Sequence, residues 1–121
     1  MQYILMIYGD EQVYMKWSKE QLDACYADHG KYSQELNKAG ILRGGAELMP
    51  TTDATSIRFT NGKPKTFDGP FAETKEQLGG YYVIEVDNLE QALEWAEKMP
   101  CMDSGTVEVR PLGMGAESLQ T

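Results

Sequence analysis

Histidine and cysteine are nearly absent from this sequence. Its 121 residues include one histidine, His29, and two cysteines, Cys25 and Cys101. The cysteines form no Cys-x-x-Cys pair, and no His/Cys cluster has the spacing of metal ligands. We therefore predict two reduced and mostly buried thiols, no metal and no cofactor.

Positive charge and long apolar runs are also scarce. Eleven Lys and Arg residues stand against 19 Asp and Glu residues, which gives a net charge of −8. This charge repels nucleic-acid phosphates and anionic lipid. No apolar run approaches the length of a membrane span, and no basic segment of a signal peptide precedes residues 2–8. We expect a cytoplasmic protein that binds neither nucleic acid nor membranes.

The remaining composition is that of one globular domain. Hydrophobic residues make up 41% of the chain and charged residues 25%. This length supports a single hydrophobic core. We expect one domain over residues 1–112 and a C-terminal tail over residues 113–121 that is loose or laid on a partner.

The first third of the chain predicts a strand followed by a helix. Residues 2–8 are apolar on both faces of the strand that they predict. A polar linker then leads to residues 18–21, which have the form of a helix capping box. Apolar residues recur at spacings of three and four from there to Gly40, where a glycine suits the helix end, so we predict a helix over residues 18–39.

The rest of the chain predicts three further strands, an inserted hairpin and a second helix. A strand opens at Ile41 and is interrupted by Gly44-Gly45, and a hairpin turns at Asn61-Gly62. A strand over residues 81–86, a helix over residues 88–98 and a strand over residues 106–111 follow. This order predicts an α+β ferredoxin-like split βαβ fold with an inserted β-hairpin and a four-stranded antiparallel sheet.

The first strand also predicts a homodimer. Two helices can cover only one face of a four-stranded sheet, whereas this strand is apolar on both faces. Leaving the second face in water would expose an apolar patch larger than monomers usually show. A second copy that presents the same face would bury it.

The run from Asp68 to Tyr82, DGPFAETKEQLGGYY, resembles the signature of the DGPF proteins, a branch of the YCII-related family. Residues 3–9, 39–40, 44–45, 94–96 and 107–111 resemble that family as well. The resemblance implies a dimeric α+β barrel with a cleft in each subunit between helices and sheet. It does not fix an activity, and many DGPF proteins are encoded beside extracytoplasmic-function sigma factors.

Some broader YCII relatives catalyse reactions such as dehydrochlorination with a His-Asp pair, and this chain matches half of that pair. His29 lies eleven residues before Gly40, which is the spacing in those relatives. Met99, however, stands before Pro100 where they carry the aspartate. The resemblance therefore implies a role for His29 and leaves its carboxylate partner open.

Two residues are the catalytic candidates, His29 and Asp68. The helical spacing places His29 on the inward face, where an imidazole can act as acid or base near neutral pH, or can simply fill space. Its carboxylate partner would be Asp68, Glu73 or Asp103. Asp68, which precedes Gly-Pro, can orient the histidine or can hold the turn through its own backbone.

Six further residues are candidates for ligand binding. Lys75 or Arg110 would meet an anionic group, although a charged run such as residues 73–76 is usually a solvated surface. Of two adjacent tyrosines, one should face the core or an interface and the other the pocket. The complete set is Phe71, Glu73, Lys75, Tyr81, Tyr82 and Arg110.

Two functions therefore remain open from sequence. In the first, the protein binds or transforms a small organic molecule in a cleft, using His29 with a nearby carboxylate. In the second, it is a non-catalytic dimer that senses a ligand or docks on a partner, linked to an extracytoplasmic-function sigma factor. The missing aspartate before Pro100 favours the second function, and the inward-facing histidine favours the first.

Overall fold

The computed structural model describes residues 1–114, and the predicted tail falls mostly on residues 115–121, outside them. Three helices lie in the described part: α1 (Glu11–Tyr14), α2 (Lys19–Lys38) and α3 (Leu89–Glu97). Its six strands are β1 (Gln2–Gly9), β2 (Leu42–Glu47), β3 (Thr55–Thr60), β4 (Lys63–Asp68), β5 (Gln77–Glu85) and β6 (Thr106–Pro111). A turn of 3₁₀-helix spans Thr51–Asp53.

Four strands form one antiparallel sheet in the order β2-β5-β1-β6. This order, with α2 after the first strand and α3 before the last, is that of the ferredoxin-like split βαβ. β3 and β4 form a separate two-stranded sheet inserted between β2 and β5. The predicted α+β fold is therefore confirmed.

The ends of α2 form as the sequence predicts. Ser18 caps the helix, since its Oγ accepts a hydrogen bond from the Gln21 amide at 3.1 Å while the Gln21 side chain accepts one from the Ser18 amide at 2.8 Å. Gly40 has a φ of 75°, the left-handed conformation that ends many helices. These two residues fix the length of α2 and therefore which of its residues face the sheet.

The inserted hairpin also follows its turn residues. Asn61 and Gly62 both have positive φ, 52° and 79°, as the two-residue turn of a tight hairpin requires. Gly69, directly after β4, has a φ of 99° and donates its amide to the Ala54 carbonyl at 2.7 Å. The glycine of the Asp-Gly-Pro-Phe run thus closes the open end of the hairpin.

Two local predictions are wrong. The linker before α2 contains the one-turn helix α1, because Asp10 caps it by accepting from the Gln12 amide at 2.9 Å. Gly44 and Gly45 do not interrupt the second strand but lie within β2, where the pairing with β5 shifts register. A Cβ on Gly45 would lie 2.8 Å from the Tyr81 carbonyl oxygen, so the close approach of the two strands requires glycine there.

The two longer helices, α2 and α3, pack on one face of the sheet. The largest fully buried side chains are Leu5 of β1, Leu36 of α2 and Ile84 of β5. Residues from α3 join the same cluster, so one core serves both helices. The buried members of that core are Tyr3, Leu5, Tyr32, Leu36, Ile84, Val86, Ala92, Ala96 and Met99.

The opposite face of the sheet is only half covered. Ile4, Met6 and Tyr8 alternate with the core residues of β1, and each is half-buried. Across the sheet Ile4 is paired with Val83 of β5 and with Arg110 of β6. We call Ile4, Met6, Tyr8 and Val83 the outer face. Among residues 1–114, no helix is both long and apolar enough to cross a membrane.

The core predicts a large difference between two leucine truncations. Leu36 is 0% exposed, whereas Leu93 on α3 is 42% exposed. We expect Leu36→Ala to lower the free energy of unfolding by about 2–5 kcal/mol, because it leaves a cavity under α2. Leu93→Ala should cost less than about 1 kcal/mol. Urea denaturation at a fixed redox state measures both, and equal losses would contradict this account of the core.

Candidate functional site

A cleft of about 900 Å³ opens between α2 and the strands β2 and β5. This volume lies at the upper end of the range for small-molecule sites. Side chains of α1 and the segment after α3 complete its walls. The residues that carry polar or reactive groups into it include Glu11, Cys25, His29, Glu47, Tyr82 and Cys101.

His29 lies on the sheet-facing side of α2, one turn before Tyr32 and Ser33. Its Nδ1 is 2.9 Å from the Tyr82 hydroxyl oxygen, and the two rings are nearly parallel, with 17° between their planes. Ser33 donates to the same hydroxyl at the longer distance of 3.5 Å. Tyr32 packs edge-on against the Tyr82 ring at 5.2 Å between centroids. The histidine is therefore oriented by a hydroxyl on the neighbouring strand.

Burial lowers the pKa of His29 below its ordinary value of 6.5. The carboxylates of Asp28 and Glu47 act in the opposite direction, and desolvation outweighs them. The imidazole is therefore predominantly neutral at pH 7. A neutral ring has one nitrogen that donates and one that accepts, so His29 can take a proton or bind a polar group of a ligand.

Within residues 1–114, two carboxylates line the cleft, and sequence reasoning identified neither. Both oxygens of Glu11 accept hydrogen bonds from Thr51, from its amide at 2.8 Å and its hydroxyl at 2.7 Å. Glu11 therefore ties α1 to the 3₁₀ turn. Glu47, at the end of β2, raises the pKa of Tyr26 through a hydrogen bond and also acts on His29. The sequence carried no signal for Glu47, because its position depends on how β2 pairs.

Of the residues predicted as a site, the structure brings His29 and Tyr82 together. Tyr81 also borders the cleft, although it stands in register with Met6 of the outer face. The cleft lining does not include the other predicted site residues. These are Asp68, Phe71, Glu73, Lys75 and Arg110.

The local contacts of these residues explain why. Asp68 ends β4 opposite Thr55, and the following turn holds Phe71 with 77% of its surface exposed. Arg110 on β6 forms an ion pair with Glu108, also on β6. The hydrogen-bond partner of His29 is Tyr82, not Asp68, Glu73 or Asp103. In the described part of the chain, His29 has no hydrogen bond to a carboxylate.

The prediction of two reduced thiols is wrong, because Cys25 and Cys101 form a disulfide. The fold brings together residues that are 76 positions apart, with their Cα atoms 5.8 Å from one another. The bond links α2 to the segment after α3. Cys101 has a φ of 64°, an uncommon conformation for a residue with a side chain.

The disulfide lies beside His29. The two sulfur atoms and a ring nitrogen of His29 all lie within 4.8 Å of one another. Sequence reasoning missed this cluster. The helical spacing predicts Cys25 and His29 on one helix face, but nothing in the sequence connects Cys101 to them.

The single histidine permits a direct test of its electrostatics. Because only His29 titrates as an imidazole, one NMR titration of its ring protons reports its pKa. We expect a pKa below 6.5, and a further decrease in Asp28→Asn, which removes a charge that favours the imidazolium. Glu90→Gln on α3 serves as the distant control and should leave the pKa unchanged. A wild-type pKa above 6.5 would contradict the dominance of burial.

The same shift fixes the sign of a stability effect. Between the lowered pKa and 6.5, the unfolded chain binds more protons at His29 than the folded protein does. The contribution of neutral His29 to stability is therefore complete above pH 6.5 and is lost progressively as the pH falls from 6.5 through the lowered pKa of the folded state. His29→Gln should remove this part of the pH dependence.

Comparison with known proteins agrees with the fold and with the residues along it. The pattern of the YCII-related domain matches residues 1–113. An uncharacterised protein of Rhizobium meliloti (strain 1021) is 40% identical to this chain over 116 residues, which cover 94% of each sequence. With the family pattern matched over nearly its whole length, the chain belongs to the YCII-related family.

Proposed function

We propose that this protein binds a small, largely apolar organic molecule in the cleft, with His29 and Tyr82 as its polar contacts. The observation that carries the proposal is the pairing of a neutral imidazole with a hydroxyl inside a cleft of about 900 Å³. Ligand sites commonly combine such a small polar group with apolar walls.

The walls of the cleft favour an apolar ligand. Several large apolar side chains that line it remain open to solvent, among them Met15 at 62%, Tyr26 at 55% and Met49 at 69% exposed. Aromatic rings and thioethers provide adaptable contacts for a planar or branched hydrophobic molecule. A ligand would bury these surfaces, and their burial would supply most of its affinity.

Charge favours a neutral ligand over an anion. Glu11 and Glu47 both line the cleft, and the chain as a whole carries a net charge of −8. Lys75 and Arg110, which the sequence suggested for an anionic group, are not among the lining residues. The guanidinium of Arg43, which does line it, donates to the carbonyls of Gly40 and Leu42 at 3.1 Å.

The hydrogen-bond partner of His29 favours binding over turnover. A histidine that acts as a strong base is usually oriented by a carboxylate, which also stabilises the imidazolium. Here Tyr82 takes that place, and Met99, at the position of the family aspartate, is buried in the core. A hydroxyl orients the ring but adds no negative charge, so the pair is better suited to recognising a ligand.

A ligand screen tests this function. A thermal-shift screen of neutral aromatic compounds should yield binders of the wild type. Tyr82→Phe and His29→Gln should weaken each binder about 10-fold, which corresponds to one lost hydrogen bond.

Tyr8→Phe provides the matched control, since it removes a tyrosine hydroxyl from the outer face instead of the cleft and should leave the affinity for the ligand unchanged. A screen without binders, or binders indifferent to both cleft variants, would contradict the proposed function.

We further propose that the protein forms a homodimer through the outer face. Ile4, Met6, Tyr8 and Val83 present a half-buried apolar surface on the side of the sheet away from the helices. A second copy related by two-fold symmetry would place the same residues against it. Sheet-to-sheet packing of this kind would remove an apolar patch from water.

A positive charge introduced into the outer face tests the dimer. Ile4→Lys should give a monomer or an aggregate, because burying an unpaired ammonium costs several kcal/mol. Leu93→Lys places the same charge on α3 and should leave the dimer intact. Light scattering after gel filtration measures both masses. A folded wild-type monomer at micromolar concentration would remove the basis for this assembly.

A further inference from the structure

The cluster of Cys25, His29 and Cys101 contains the donor atoms of a soft-metal site. Thiolate sulfur and imidazole nitrogen are the ligands that Zn²⁺ prefers in proteins. The two sulfurs and a ring nitrogen lie within 4.8 Å of one another. In a tetrahedral zinc site with Zn–S bonds of about 2.3 Å, such donors stand roughly 3.5–3.8 Å apart. Only small side-chain movements separate the present arrangement from that one.

The backbone already holds the three residues in place. Cys25 and His29 are four residues apart on α2, so both project from one face of a helix that is anchored in the core by Leu36. Cys101 approaches from the segment after α3, and its positive φ fixes the direction of that chain. The Tyr82 hydroxyl bonds Nδ1 of His29 and orients the ring, and this contact would leave Nε2 as the nitrogen that binds the metal.

The cluster is also accessible from the cleft. Cys25, His29 and Cys101 are all half-buried, and all three line the cleft. A metal held by three protein ligands would therefore have its remaining coordination position directed toward the cleft. Zinc sites with three protein ligands and one open position are the arrangement that binds water or a substrate.

We propose that reduction of the Cys25–Cys101 disulfide creates a zinc site formed by the two thiolates and His29, with its fourth position open to the cleft. A dithiol supplies the two electrons and two protons that convert the disulfide to two thiols, and is itself oxidised to a disulfide. Zn²⁺ then displaces both thiol protons to form two Zn–S bonds, and a Zn–N bond forms to the neutral imidazole. The disulfide and the zinc-bound form are thus alternative states of one cluster.

Zinc titration of the full chain tests this site. The protein is reduced with a phosphine under nitrogen, mixed with ZnCl₂ and passed through a gel-filtration column before its zinc content is measured. We expect about one zinc per reduced chain and none per oxidised chain. His29→Gln, which keeps both cysteines, should lower the affinity by more than about 100-fold, because even groups behind metal ligands contribute about 10- to 100-fold.

Cobalt distinguishes this site from zinc held by surface carboxylates, of which the acidic chain has many. Co²⁺ bound by two thiolates in tetrahedral geometry gives sulfur-to-cobalt charge-transfer bands and intense visible bands, whereas carboxylate-bound Co²⁺ gives neither. Cys25→Ser and Cys101→Ser should each lose the charge-transfer intensity in part. Glu90→Gln, which removes an exposed carboxylate on α3, should keep the whole spectrum.

Three results would overturn the site. The first is a reduced wild type that is folded by circular dichroism yet retains no zinc. The second is a cobalt spectrum without thiolate bands, and the third is an affinity that His29→Gln leaves unchanged. Because these measurements use the metal alone, their outcome is independent of the organic-ligand screen.

Discussion

The packing of α2 against β1 and β5 is the interaction on which the site depends. Leu36 of the helix is fully buried together with Leu5 and Ile84 of the sheet, and Tyr32 lies beside them. This contact fixes the rotation of α2 about its axis. His29, one turn from Tyr32, is thereby set over Tyr82, and Cys25 is set one turn further along the same face. The cleft is the space that remains between the helix and the edge of the sheet where the core ends.

The same packing determines the charge of the histidine. Covering α2 with the sheet removes His29 from part of its water, and this desolvation outweighs two carboxylates that favour the imidazolium. An acidic protein would ordinarily be expected to raise the pKa of a histidine. Here the effect of the two exposed carboxylates near His29 is smaller than that of burial, and the partner within hydrogen-bond distance is an uncharged hydroxyl. The ring is consequently a neutral donor and acceptor.

Local patterns predicted nearly all of the fold, because each depends on residues close in sequence. The capping box at Ser18, the left-handed glycine at Gly40 and the turn at Asn61-Gly62 each act within one turn of chain. α1 escaped prediction, since four residues show no periodicity. The glycines of β2 were misinterpreted, because their reason lies across the sheet in the Tyr81 carbonyl.

The site was less predictable for the same physical reason. His29 and Tyr82 were both identified, one from helical spacing and one from strand alternation, but no pattern indicated that they meet. The family resemblance directed attention to Asp68 and to residues 71–75, which lie outside the cleft lining. Glu47 and Cys101 reach the site only through long-range pairing and the path of the chain after α3. Neither contact can be recognised from a short stretch of sequence.

The Cys25–Cys101 link gives the cleft wall a dependence on redox state that the core lacks. The bond connects α2 to the chain after α3 at the cleft, whereas the core holds the same two helices through Leu36 and Ala96. Breaking the bond would therefore leave the core intact and free only the wall that Cys101 contributes. If zinc binds the reduced pair and not the disulfide, the two equilibria are linked. Zinc then stabilises the reduced state by the same free energy by which reduction strengthens zinc binding. The metal and the disulfide would then compete for the two sulfurs. In the disulfide form His29 would be free to bind an organic ligand, and in the reduced form it would bind the zinc ion.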